Sequence, residues 1–115
     1  MVKKINILQL VTGLGMGGAE KVVLDLAKYT SKDDFNTCVI AMSKRDELLQ
    51  DFLDSGIDTQ LLKKSNSIKD IYSIIKVINQ IIKEKNIHII HAHMTHSIIV
   101  ASIVKILNPT LKIVY

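Results

Sequence analysis

At 115 residues the chain suffices for one domain, and 48% hydrophobic against 23% charged side chains excludes a disordered tail. The formal net charge of +4 comes with one arginine and few aromatics, which argues against nucleic acid as a partner. A lone cysteine, Cys38, excludes an internal disulfide and points to a reduced, cytoplasmic protein in which that thiol packs as a small hydrophobe.

The opening Met1-Val2-Lys3-Lys4 and the apolar stretch after it imitate a secretion leader. Gln9 and Thr12 interrupt that stretch, however, and a glycine cluster ends it where a leader needs a small-residue cleavage site. Lys4 to Val11 reads instead as a buried strand, closed by Thr12-Gly13. From Gly18 the period changes: Ala19, Val22, Val23, Leu26 and Ala27 form one face of a helix, opposite Lys21, Asp25 and Lys28. Phe35 to Met42 is the second strand. Ser43 with Asp46 or Glu47 resembles a helix start, and Leu48, Leu49, Phe52 and Leu53 line a short helix that ends at Gly56.

Ile57 to Leu62 is a third strand, followed by a polar loop from Lys63 to Asn66. Ser67-x-x-Asp70 then opens the longest helix as a capping-box variant. Its stripe is Ile68, Ile71, Ile75, Ile78 and Ile82, widened by Ile74, Val77 and Ile81, with Lys69, Lys76 and Lys83 opposite. Ile87 to His91 is the fourth strand, with a turn from Ala92 to Thr95. Ile98 to Leu107 is a helix stopped by Asn108-Pro109, and Leu111 to Tyr115 begins a fifth strand.

Strand and helix alternate four times, which predicts an α/β fold: a Rossmann-like, doubly wound parallel sheet with helices on both faces. Such a sheet binds ligands beyond the carboxyl ends of the strands where the order reverses, here the first and fourth. The two chemically unusual loops, Thr12 to Gly18 and His91 to His96, follow those two strands.

Four glycines between positions 13 and 18 expose backbone N–H groups and admit positive φ angles. The helix that follows aims its amides and positive dipole end at the same space, which favours a phosphate or pyrophosphate. Gly13, Gly15 and Gly18 satisfy the dinucleotide pattern G-x-G-x-x-G, but no carboxylate follows the second strand until Asp46, which disfavours NAD. NADP, with a 2′-phosphate on Lys44 or Arg45, stays open, and a Walker loop is excluded. All four histidines, His88, His91, His93 and His96, fall within nine residues. Zinc on His91, His93 and His96 would lack a nearby Cys or acidic ligand, so no metal site is assigned. In the plainer reading His88 and His91 sit on the strand, satisfied by backbone, and His96 caps the next helix.

The segment Gly17-Gly18-Ala19-Glu20 after a strand closely resembles the N-terminal signature of family-four retaining glycosyltransferases. The stretch Ile90-His91-Ala92-His93-Met94-Thr95-His96 looks like their segment after the fourth strand. The resemblance covers the whole chain. It implies the N-terminal part of a two-domain GT-B enzyme, with residues 1–115 as a truncated, acceptor-side Rossmann-like domain and the nucleotide-sugar domain absent. It implies that Gly15, Gly17 and Gly18 face the donor's diphosphate and that Glu20 lies on the acceptor side. His93 would be the catalytic-centre histidine, donating a hydrogen bond to a sugar hydroxyl or tuning charge beside the departing diphosphate. Thr95 and His96 would touch the acceptor. The implied substrates are a nucleotide diphosphate sugar and a glycan or lipid-linked acceptor of cell-surface polysaccharide synthesis. No metal or other cofactor is implied.

The C-terminal half of such enzymes supplies a pair of glutamates. The only glutamates here are Glu20, Glu47 and Glu84, which predicts that this chain alone is inactive. Family members work at the inner face of the membrane, where Lys63, Lys64 and Lys69 would meet an anionic membrane surface. Two other classes stand beside this reading: an NADP-binding oxidoreductase domain and a non-catalytic α/β module.

Overall fold

A computed structural model describes residues 3–65 and 67–115, so Met1 and Val2 of the leader-like start, and Asn66 of the polar loop, lie outside the described residues. The elements alternate as predicted: β1 (Ile5–Val11), α1 (Gly18–Tyr29), β2 (Phe35–Ala41), α2 (Leu49–Asp54), β3 (Asp58–Leu61), α3 (Ile68–Glu84), β4 (Ile89–Ala92), α4 (Thr95–Leu107) and β5 (Lys112–Val114). All strands are parallel in the order β3-β2-β1-β4-β5, which puts the reversal between β1 and β4. Leu8 lies between Cys38 and Ile90 in register, and Gln9 between Val39 and His91.

Strand alternation sorts the side chains into two cores. Leu8, Leu10, Cys38, Ile40, Ile90 and Ala92 pack under α3 and α4 with Ile74, Ile78, Val100 and Val104. Val11, Val39 and Ala41 face the other way, against Val23 and Ala27 of α1 and Phe52 of α2. Cys38 is buried, and desolvation pushes its thiol up to about 11, so it behaves as the inert hydrophobe its sequence context predicts. On the α1 side β4 and β5 carry no helix among the described residues, and Val114, in register with His91, is 46% exposed.

Helix ends show where local chemistry was legible and where it was not. Gly56 at φ +74 ends α2; its N–H donates to the Leu53 carbonyl and that of Ile57 to Phe52, the paired closure of a left-handed cap. The predicted start of that helix is corrected. Leu48 sits at its N-cap without a side-chain cap, while Ser43 Oγ accepts from the Arg45 N–H at 3.4 Å and Glu47 pairs with Arg45. Ser67 caps α3 as predicted, its Oγ accepting from the Asp70 N–H at 3.2 Å. Asp70 does not reach back to close the box. Its carboxylate accepts from the Ser65 N–H and hydroxyl at 2.8 and 2.7 Å, bonds that hold it below the usual carboxylate range.

Three further expectations are corrected. The α3 stripe centres on Ile74, Ile78, Ile81 and Ile82, and Ile68 at the helix mouth is exposed, because the sheet does not extend beneath the first turn. On α1 only Val23 and Ala27 of the predicted face are buried; Val22 and Leu26 point outward, since Glu20 takes a place on the inward side. The strand β4 runs on to Ala92 and α4 begins at Thr95, so Thr95 and His96 lie in a helical first turn rather than before the helix.

Candidate functional site

The chain leaves β1 at Val11 and enters α1 at Gly18. None of the glycines between them uses a positive φ, so conformational freedom, expected from their number, is not what they supply. They supply room. A methyl group at Gly15 would lie 2.7 Å from Cζ of Arg45, and one at Gly17 would lie 2.5 Å from Oε2 of Glu20. The β2–α2 loop thus lays a guanidinium over the turn, while the α1 carboxylate folds back upon it. Glu47 holds Arg45 at 2.8 Å; that bond, with a lesser contribution from the charge of Glu20, raises the guanidinium pKa above its usual value.

Gly18 differs, because nothing lies within 4 Å of a methyl group placed there. Gly17 occupies the N-cap at φ −83 and ψ 173 with no side chain to cap the helix. The first backbone bond of α1 is donated by Lys21 to the Gly17 carbonyl, and the N–H groups of Gly18, Ala19 and Glu20 have no partner among the described residues. Three unpaired donors and a helix dipole therefore mark this helix start, with space at Gly18 and the Glu20 carboxylate beside Gly17.

At the neighbouring strand end, His93 is half-buried and its N–H donates to the Leu10 carbonyl at 2.9 Å. Its ring reaches across to β1, where Nε2 lies 2.7 Å from Oε1 of Gln9. Gln9 is only 4% exposed, one of three buried polar residues among those described. The His91 ring lies beside that of His93, centroids 4.1 Å apart. Burial, then the neighbouring His91, push His93 down to about 4, so near neutral pH it is uncharged. It offers a hydrogen bond and not the charge expected of it. Met94, directly after it, holds φ 73 and ψ 158, a region that glycine alone occupies without strain.

Thr95 and His96 are exposed in the first turn of α4, whose N-cap is Met94; His96 does not cap the helix. His96 lines a narrow crevice with Thr12, Ser43, Lys64, Ser65 and Ile71, on the α3–α4 side of the sheet and away from Gln9 and His93. His88 precedes β4 rather than sitting on it, and its Nδ1 accepts the Asn6 N–H at 2.9 Å. The structure therefore gathers Gly15, Gly17, Gly18 and Glu20 around one turn, sets His93 at the adjacent strand end, and puts His96 across the sheet. Gln9 is the residue that sequence reasoning passed over. Its signal was present, an amide amid the apolar residues of a strand, but it served only to argue against a leader.

Fold and site together define a doubly wound α/β domain with an uncapped helix start at its topological switch. The profile of Glycosyltransferase Family 4 matches residues 16–115, and the chain belongs to that family. Among solved structures it is similar to a glycosyltransferase from Rickettsia africae ESF-5, at 22% identity and a TM-score of 0.74, over 96% of this chain and 28% of that one. It is also similar to a Listeria monocytogenes protein assigned as a UDP-N-acetylglucosamine 2-epimerase, at 17% identity and a TM-score of 0.70, over 95% of this chain and 30% of that one. The chain thus spans under a third of the length of either structure. No curated protein matches it in sequence.

Proposed function

We propose that this chain is the N-terminal, acceptor-side domain of a retaining GT-B glycosyltransferase. The whole enzyme would move a hexosyl group from a nucleotide diphosphate sugar to a glycan or lipid-linked acceptor in cell-surface polysaccharide synthesis. The observation that carries this is the uncapped start of α1, where the N–H groups of Gly18, Ala19 and Glu20 have no partner among the described residues and Gly18 leaves free the space a Cβ would take. Negative charge gathers on the leaving diphosphate as the glycosidic bond breaks. Preorganised amides and a helix dipole stabilise that charge with no reorganisation in the transition state. In this reading Gly15 and Gly17 keep the turn close-packed, and Gly18 admits the phosphate. Glu20 borders the acceptor, His93 contacts the sugar, and Thr95 and His96 line the acceptor's approach. Transfer proceeds without a metal cofactor.

Arg45 bears on the dinucleotide alternative. It is committed to Glu47 over the glycine turn rather than standing free for a 2′-phosphate. The decisive assay supplies the protein that carries this segment with a panel of nucleotide sugars and simple glycoside acceptors. Release of nucleoside diphosphate coupled to a product of unchanged anomeric configuration is expected, with no transfer by the 115-residue chain alone. An inverted product, or transfer by this chain unaided, would overturn the reading.

The membrane contact rests on Lys63, Lys64 and Lys69 beside two outward-facing side chains, Ile68 at 88% and Tyr72 at 74% exposure. Lysines around an exposed aromatic and an aliphatic suit the headgroup layer of an anionic leaflet. No helix among the described residues is long and apolar enough to cross a membrane; the proposed contact is peripheral, at the inner face. Binding to phosphatidylglycerol vesicles should weaken as salt rises. Binding indifferent to salt contradicts the electrostatic part.

A further inference from the structure

We infer that Gln9 is a positioning residue that locks the His93 imidazole as its Nε2–H tautomer, leaving a bare Nδ1 to accept a hydrogen bond from a hydroxyl of the bound sugar. The sugar in this statement rests on the transferase reading above; the tautomer rests on geometry alone.

The amide oxygen of Gln9 faces Nε2 at 2.7 Å. With the amide oxygen turned toward the ring, that oxygen only accepts, so the proton of a neutral imidazole resides on Nε2 and Nδ1 carries a lone pair; an amide turned the other way would donate to Nε2 and put the proton on Nδ1. Nδ1 makes no hydrogen bond among the described residues and is not an enclosed atom, so it is open to a donor. Both residues are anchored through their backbones. Gln9 is fixed in the centre of the sheet by β2 on one side and β4 on the other. The backbone of His93 is anchored to Leu10, and the strained turn at Met94 follows at once. The titratable side chain recorded beside His93 is His91, itself kept neutral by burial, so no cation competes for the lone pair.

The consequence is a division of labour within the site. A lone pair repels phosphate and carboxylate oxygens but welcomes an O–H, so His93 selects a hydroxyl-bearing group, while the unpaired amides of α1 select the anion. The direction of the bond is also the reverse of the one expected from sequence. His93 accepts from the sugar.

Histidine 15N spectra of the chain read this directly, since protonated and bare ring nitrogens differ widely in shift. In the wild type, His93 should show a pyrrole-type Nε2 and a pyridine-type Nδ1 near neutral pH. Gln9→Leu, which fits the apolar strand, should give a mixture of tautomers. Gln9→Glu presents an obligate acceptor, should keep the Nε2–H form, and should raise the His93 titration by more than about one pH unit. Amide spectra establish that each variant is folded. A protonated Nδ1 in the wild type, or a tautomer indifferent to Gln9→Leu, would overturn the inference whatever the enzyme does. Addition of UDP-glucose and GDP-mannose to the protein carrying this segment then tests the sugar. Movement of the Nδ1 signal supports the hydroxyl contact. Movement of the Gly18 and Ala19 amides without it removes that contact and leaves the transferase reading standing.

Discussion

Met94, in the β4–α4 connection, holds a backbone conformation that costs local strain. Met94 sits at φ 73 and ψ 158, where a Cβ costs on the order of 1–3 kcal/mol. Its side chain recovers part of that by packing on the α1–α2 core. Comparing Met94→Ala with Met94→Gly separates the two terms, because both lose the packing and only glycine sheds the strain. The glycine variant should be the more stable of the pair by about 1–2 kcal/mol in denaturant unfolding. Equal stability would mean that the turn relaxes without help.

At the same scale the sequence was informative about residue type and silent about partners. The glycine cluster announced close approach, yet what approaches Gly15 is Arg45 from the distant β2–α2 loop, and what approaches Gly17 is Glu20 from the first turn of α1. Only Gly18 keeps the vacancy that all the glycines suggested. That His93 follows the fourth strand was legible in the sequence. Its neutrality was not, because that follows from burial and from the neighbouring imidazole, which depend on the whole sheet.

At the scale of elements, periodicity identified every helix and strand, and errors concentrated at their mouths. Apolar spacing gives the direction of a helix face but not where the sheet beneath it ends; hence Ile68 belongs to the α3 stripe and lies in water. A cap depends on local chemistry and was easier to read. Ser67 satisfies the Asp70 N–H at 3.2 Å, and its neighbour Ser65 ties down the Asp70 carboxylate. Ser67→Ala should cost about 1 kcal/mol in a thermal or denaturant melt, the usual loss for a deleted N-cap. Ser43→Ala should cost well under that, since Ser43 caps no helix despite its sequence context. If the two losses are equal, the assignment of caps is wrong.

Across the molecule, the strand order was foreseeable because right-handed crossovers leave few ways to thread four β-α repeats into one parallel sheet. That order brings the ends of β1 and β4 together, and with them the uncapped start of α1 and the paired side chains of Gln9 and His93. Membership of Glycosyltransferase Family 4 agrees with this geometry. The central claim is that the diphosphate enters at Gly18, and a titration of amide resonances with UDP tests it in the wild type and in Gly18→Ala. A methyl group at the first position of α1 meets nothing in the free protein and should leave the unfolding midpoint unchanged or slightly raised. The Gly18 and Ala19 amides should shift saturably in the wild type, and binding should weaken by about tenfold or more in the variant. Equal binding by both proteins, or shifts confined to surface lysines, would contradict the account.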